Sequence, residues 1–413
     1  MKTIHEPARE VPVLRETDVL VVGGGPAGLA AAVAAARLGT RVCLVERYGY
    51  LGGLATGGLV VYFPGYRPDG SPTYRGIALE WVRRAHAAGG AIYYERVRES
   101  EDVAMLDPEV LKQEALGLAL ASGVELVLHA LAVGAQAEAG TVRAVFVESK
   151  SGRQAIVARA VVDASGDSDV VAWAGGQFVT GSKAISLPFR VGGVYWPAYE
   201  QFLRHSPEQR TRLSQELQRQ CLMPLPRLPD HRLQHDLAWF NYWGMAGLDA
   251  TDEADLTRAE VQLRGNVWLA LDFLRRRVPG FAGAFVVDTA SQIGTRDSRR
   301  IVGDYTLDLA DLEHQARFPD AVGRICHSPR MDLVCDLPYR CLVPRGLDNV
   351  LVGGRPISVD PRAHETTRLI PQSLVSGQAA GTAAALVARG DRPARDLDLA
   401  ELQAALRAAG VEV

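Results

Sequence analysis

Three glycines and one acid set out the first chemistry this chain can do. Gly23, Gly25 and Gly28 stand at the spacing Gly-x-Gly-x-x-Gly, and Glu46 follows about 20 residues later. At this spacing each glycine has a separate task. Gly23 suits a tight turn, Gly25 admits a pyrophosphate close to the backbone, and Gly28 lets a helix pack hard on its neighbour. The unpaired amides and positive dipole end of that helix attract phosphate. Glu46 is placed to take ribose hydroxyls. An acid there suits an adenosine with a free 2′-hydroxyl, so FAD or NAD rather than NADP.

These residues need a strand, a turn, a helix and a second strand, and the flanking sequence supplies all four. Residues 19–22 are apolar and β-branched, as in a buried parallel strand. Pro26 and Ala27 open an alanine-rich helix, and residues 41–45 form a strand that ends at Glu46. Residues 107–122 have helical periodicity, with Asp107 as N-cap, Pro108 in the first turn and Gly123 as the stop. After a strand at 124–128, residues 131–137, 141–148 and 154–158 alternate around the turn signals Ala139-Gly140 and Ser151-Gly152. That pattern predicts an antiparallel meander. Residues 160–163 read as a further short buried strand. In the middle of the chain, 198–223 and 256–277 read as helices and 285–289 and 333–342 as extended. Tyr195, Trp196, Trp239, Tyr242 and Trp243 gather there, as pocket lining or as core. Residues 349–352 form a last strand, and 371–389 a helix of small residues able to lie against a backbone or a flat ligand.

The length, 413 residues, allows two large domains or one with insertions. A net charge of −3 with scattered arginines gives no reason to invoke nucleic acid or an anionic membrane. No apolar stretch reaches the length of a membrane span. Residues 1–16 carry charges of both signs, Pro7 and Pro12, and lack the apolar core of a signal peptide. They read as a loosely held arm. Cys43, Cys221, Cys326, Cys335 and Cys341 include no Cys-x-x-Cys pair, so neither a metal site nor a redox dithiol is expected. Reduced, buried thiols of a cytoplasmic protein are the expectation.

Further motifs extend the pattern. Glu46-Arg47, Leu51-Gly-Gly-Leu-Ala-Thr56, Asp163-Ala-Ser-Gly-Asp167, Leu337-Pro-Tyr-Arg-Cys-Leu-Val-Pro344, Leu351-Val-Gly-Gly-Arg355 and Gly377-Gln-Ala-Ala-Gly381 follow one another in this order. Together they resemble the FAD-dependent oxidoreductases of the glutathione-reductase-like superfamily. The likeness is to the single-FAD family that also holds domains similar to the A component of heterodisulfide reductase. It covers residues 17–169 and 337–386, and the middle contributes little. The resemblance implies an α/β FAD-binding Rossmann-like domain of the glutathione-reductase type with an antiparallel β-meander, residues 17–180 and 342–413. An inserted α+β substrate or cap domain would occupy 181–341. It implies that Gly23, Gly25, Pro26, Ala27 and Gly28 hold the pyrophosphate, and that Glu46 and Arg47 lie at the adenosine. Gly52, Gly53, Leu54 and Thr56 would run beside the flavin end. Val133 would reach the adenine through its backbone. Ala164, Gly166 and Asp167 would form the crossover near the pyrophosphate, and Gly354 and Arg355 would lie along the ribityl chain. Gly377 and Gln378 would face the pyrimidine edge of the flavin.

Only one dinucleotide fingerprint is present, so no second NAD(P)H domain is expected. The run Gly353-Gly-Arg-Pro departs from the Gly-Asp-Ala-Ala-His type of the aromatic hydroxylases. Both point to a dehydrogenase or reductase passing hydride between a small-molecule substrate and FAD. A flavin monooxygenase, an electron-transfer subunit of a complex and a flavin-free NAD enzyme are the competing readings. Hydride removal beside O–H or N–H needs a base, and His364 is the first candidate. Arg340, with Tyr339, and Arg296 could meet an anionic substrate, and Arg368 could add positive charge at the flavin. A homo-oligomer is compatible with the sequence.

Overall fold

The computed structural model describes residues 2–66, 73–98, 101–221, 228–229, 232–241, 244–326, 333–390 and 392–413. Tyr242 and Trp243 lie outside the described residues. The main sheet is mixed and seven-stranded. Its parallel part runs in the order Glu125–Leu128, Val42–Glu46, Val13–Val22, Gly152–Asp163 and Val350–Val352. The strands Thr141–Ser149 and Leu131–Glu138 add the antiparallel meander. Its architecture is that of a Rossmann-like dinucleotide-binding fold.

Two details of this sheet differ from the sequence reading. The first strand starts at Val13, because Pro12 already accepts a hydrogen bond from the Ala155 amide at 2.9 Å. Residues 154–158 and 160–163 belong to one strand, Gly152–Asp163. Its first half pairs with Thr141–Ser149 and its last residues pair with Val350–Val352. The half-exposed meander and the buried parallel layer impose different polarity patterns on one strand, which is why its sequence reads as two.

The helix Ile370–Arg389 is almost wholly buried and crosses the fingerprint helix Pro26–Arg37. A side chain at Gly377 would overlap the Ala27 carbonyl, and one at Gly381 the Ala31 carbonyl. The small residues thus serve backbone-to-backbone helix packing.

A second apolar cluster extends from Ile185 to Ala290, with Leu59 joining it. There Phe189–Gly192 pairs with Ala238–Phe240 and Phe285–Thr289. The long helix Glu253–Arg277, capped by Asp252, packs beside them. The expected helix at 198–223 is two, Trp196–His205 and Pro207–Cys221. Proline disfavours helical geometry at the residue before it, here Ser206. Trp196 and Trp239 are buried core residues, whereas Tyr195 is exposed. From Ile301 to Val343 the buried apolar side chains of the described residues join the first cluster, apart from Ala321, Cys326 and Val334. A further antiparallel sheet, Tyr62–Tyr66, Glu101–Leu106 and Ala91–Arg98, has no counterpart in the sequence reading.

All five cysteines are free and buried. Burial pushes the Cys43 and Cys335 thiols up to about 12 and Cys221 to about 11. Among the described residues no helix is long and apolar enough to cross a membrane.

Candidate functional site

An open cleft of about 1030 Å³ runs along the carboxyl ends of the parallel strands, where open α/β sheets place their ligands. Val22 and Gly23 end the first strand at its floor, and Pro26 and Ala27 open the fingerprint helix beside it. Gly23 has φ +99°, and its amide donates to the Val45 carbonyl at 2.8 Å. At Gly25 an added Cβ would meet nothing within 4 Å, so this glycine looks into open space at the helix N-terminus. Gly28 is set back from the cleft, against the Gly23 carbonyl.

Glu46 and Arg47 line one end together with Ala130, Leu131 and Ala132. Glu46 is buried and accepts from the Gly24 amide at 2.6 Å and the Tyr48 amide at 2.9 Å. Burial raises its pKa, and the two amide bonds oppose that shift. Val133 does not line the cleft. It falls at a register shift of the meander, and Leu131 and Ala132 take the place expected for it.

Asp163 is fully buried and holds the crossover. It accepts from the Ser165 hydroxyl at 2.6 Å and from the Ser165 and Val171 amides at 3.1 Å. Ala164, Gly166 and Asp167 then line the cleft. Asp167 Oδ1 accepts from Arg355 at 2.6 Å and from the Ser298 hydroxyl at 2.5 Å. Gly354 presents its amide to the Ser376 hydroxyl at 2.9 Å.

The other end is lined by Gly53, Leu54, Gln292, Thr295, Arg368, Ile370 and Ser373. Gly52 and Thr56 shape this loop from behind. Thr56 is fully buried and donates to the Leu51 carbonyl at 2.8 Å. The helix that points its N-terminus here begins at Ile370, so Gly377 and Gln378 are two turns inside it and do not reach the cleft. Gln378 instead accepts from the Ile77 amide at 2.9 Å, at the start of the helix Gly76–Ala87.

Residues 18–406 match the model of the family described as FAD dependent oxidoreductase. The chain belongs to that family. Its cofactor is FAD. A digeranylgeranylglycerophospholipid reductase from Methanoculleus marisnigri is 32% identical over 154 residues, which is 36% of this chain and 38% of that protein. A dihydrolipoyl dehydrogenase from Trypanosoma brucei brucei is 52% identical over 42 residues, 10% of this chain and 9% of that protein. The chain thus matches well under half the length of these relatives. In three dimensions it is similar to p-nitrophenol 4-monooxygenase PnpA from Pseudomonas putida DLL-E4. That likeness has TM-score 0.51 and 13% identity, and covers 95% of this chain and 83% of that one. For the flavin-dependent brominase Bmp2 the TM-score is 0.50 at 15% identity, over 95% and 82%. These two likenesses concern the fold.

The residues present fit FAD. The space before Gly25 admits a pyrophosphate at a helix N-terminus. Glu46 stands where a ribose would lie. Arg355 keeps one buried guanidinium nitrogen, Nη1, without a hydrogen-bond partner among the described residues. That donor suits an oxygen-rich ligand.

The expected base does not stand at this site. His364 is fully buried and is not part of the cleft lining. Its Nε2 lies 3.0 Å from the Arg355 carbonyl, which can only accept, so Nε2 carries the hydrogen. Nδ1 is then the acceptor for Lys183 Nζ at 3.2 Å. Burial, helped by the charge of Lys183, pushes the imidazole down to about 2. His364 is a neutral brace that holds the Arg355 loop, with both nitrogens engaged. Arg340 is also elsewhere. It forms a two-point pair with Asp320 at 2.9 and 3.1 Å, outside the cleft. The Tyr339 hydroxyl donates to the Ala394 carbonyl at 2.8 Å. Arg368 does line the cleft, paired with Glu365. Sequence reasoning missed Gln292, Thr295 and Lys183, because the middle of the chain offers no motif to flag them.

Proposed function

We propose that this enzyme is a dehydrogenase or reductase that passes hydride between a small-molecule substrate and FAD. FAD, when bound, supplies the redox chemistry, and the chain supplies position, electrostatics and shelter from water. The observation that carries the reading is a dinucleotide cleft whose far end is walled by residues of the middle region. Gln292 and Thr295 come from that region, and Arg368, Ile370 and Ser373 face them. A substrate entering there would meet the flavin end and leave the adenosine end, at Glu46 and Ala132, undisturbed.

Several features support this assignment. The N-terminus of Ile370–Arg389 at that end favours negative charge, as reduction of a flavin creates. Arg368 adds to the same field. Only one fingerprint is present, and the Gly353-Gly-Arg-Pro run differs from the hydroxylase pattern. We further place the chain in the glutathione-reductase-like superfamily, beside the domains similar to the A component of heterodisulfide reductase. The motifs at Leu51–Thr56 and Asp163–Asp167 support that placement. We keep 17–180 with 342–413 as the FAD-binding domain and 181–341 as the substrate region, of which the part from Ile301 on packs with the FAD-binding core.

The test is anaerobic titration of the yellow, flavin-loaded protein with a metabolite panel. Bleaching of the flavin by one substrate class, reversed by an external acceptor, is the expected result. A hydroxylated product formed only with NAD(P)H and oxygen would replace this reading with a monooxygenase. Requirement for a second protein would replace it with an electron-transfer subunit.

A further inference from the structure

We propose that Arg296, together with Arg368, forms a carboxylate-binding site for the substrate where the cleft meets the middle region. The proposal rests on the reading of the chain as an FAD-dependent oxidoreductase of small molecules. Arg296 leaves a segment that borders the cleft on both sides of it. Gln292 and Thr295 line the cleft, and Ser298 donates to Asp167, which lines it too, while Arg296 itself stands beside Thr295 just behind that lining. The guanidinium is anchored by carbonyls alone. Nη1 donates to Ala184 at 2.8 Å and Nη2 to Asn241 at 3.3 Å. A guanidinium has five N–H donors, so these two bonds leave three to spare.

What sets Arg296 apart is the missing counter-charge. Arg299 pairs with Asp169, Arg300 with Asp297, and Arg355 with Asp167. Lys183 and Arg368 share a single acid, Glu365. Arg296 forms no salt bridge among the described residues, and the one acid that acts on it from a distance, Glu365, is already shared by Lys183 and Arg368. It is nevertheless partly buried, and burial with the nearby charge of Arg368 pushes its pKa down to about 10. Confining an uncompensated cation is costly. A carboxylate from outside removes that cost, and a planar fork matches it by two parallel bonds.

The anchors say which ligand is meant. Ala184 and Asn241 flank Ile185 and Phe240 of the second apolar cluster, whereas the turn at Gly23 and Gly25 lies between Val22 and Ala27 of the first. Arg296 is therefore held by the substrate region. Gly244 leaves room for the guanidinium, since a Cβ there would stand 3.2 Å from Nη1.

The test uses the flavin-loaded protein and reads the visible flavin spectrum. Benzoate and acetate are the probes, benzamide is the uncharged match of benzoate, and phosphate is a tetrahedral anion. The expected result is a saturable perturbation by at least one carboxylate and none by benzamide. In Arg296→Gln that affinity falls at least about tenfold, with flavin content and midpoint potential unchanged. Arg296→Lys keeps the charge, loses the fork and retains part of the affinity. Equal binding of benzamide, binding of phosphate alone, or no response to any anion overturns the site. So does a fall in midpoint potential in Arg296→Gln with carboxylate affinity intact, which assigns the charge to the flavin. If Arg296→Gln fails to fold, the carboxylate and benzamide comparison on the unsubstituted protein decides. A protein that takes up no flavin refutes the oxidoreductase reading instead.

Discussion

At the scale of single residues, the cleft depends on places where side chains are missing as much as on those present. Gly25 faces empty space, so Gly25→Val is not expected to disturb the packing of the free protein. It is expected to fill the phosphate position. Flavin content after purification should fall to near zero with the melting temperature of the apoprotein little changed. Full flavin occupancy in that variant would sink the assignment. His364 gives a second prediction, this time about pH. Its folded pKa of about 2 lies far below the usual histidine value of 6.5. Below pH 6.5 the unfolded chain binds a proton that the folded chain refuses, so stability falls on acidification, by at most about 1.4 kcal/mol per pH unit. Urea unfolding of His364→Asn should show lower stability at pH 7.5 and a flatter pH slope between about 6.5 and 4.5. An unchanged slope would mean that the imidazole is not held neutral. The sequence could name this histidine, since its place beside the last strand and the flavin-facing helix is local information. It could not show that both ring nitrogens are occupied, because Lys183 reaches it from 181 positions away.

At the scale of elements, the strand–turn–helix–strand unit was legible. A tight turn, a close helix approach and a buried parallel strand each restrict residue type strongly, and Gly23, Gly28 and Val19 to Val22 carry those restrictions. The helix Ile370–Arg389 was legible as an element, but what its small residues touch was not. They are consistent with a flat ligand or with another helix, and the structure assigns Gly377 and Gly381 to the fingerprint helix. Gly381→Ala should therefore reduce unfolding free energy by about 1–3 kcal/mol through overpacking against Ala31. Flavin retention should weaken in parallel, although residue 381 is remote from the cleft. Thermal melts with and without added FAD would check both effects. A variant as stable as the parent would mean that the two helices can separate at no cost.

At the scale of the whole molecule, the cleft draws on residues from Val22 to Ser373. Binding of FAD should hence stabilise the entire fold, by about 2.7 kcal/mol at a hundredfold excess over its dissociation constant. Calorimetry of apoprotein against added FAD would measure it, and a melting temperature indifferent to FAD would contradict a ligand that bridges such distant parts. The middle region was the least legible. Apolar periodicity marks its helical stretches and the strand Phe285–Thr289 but not Phe189–Gly192 or Ala238–Phe240, and Gln292, Thr295 and Arg296 gain meaning only from what lies across the cleft. The crossing of the first and last long helices has one more consequence, for biosynthesis. Translation delivers the nucleotide fingerprint early and its packing partner roughly 20–70 s later, at 5–20 residues per second. During that interval the nascent N-terminal helix has its glycine-lined neighbour still to come, so cofactor loading should wait until the helix Ile370–Arg389 has emerged from the ribosome.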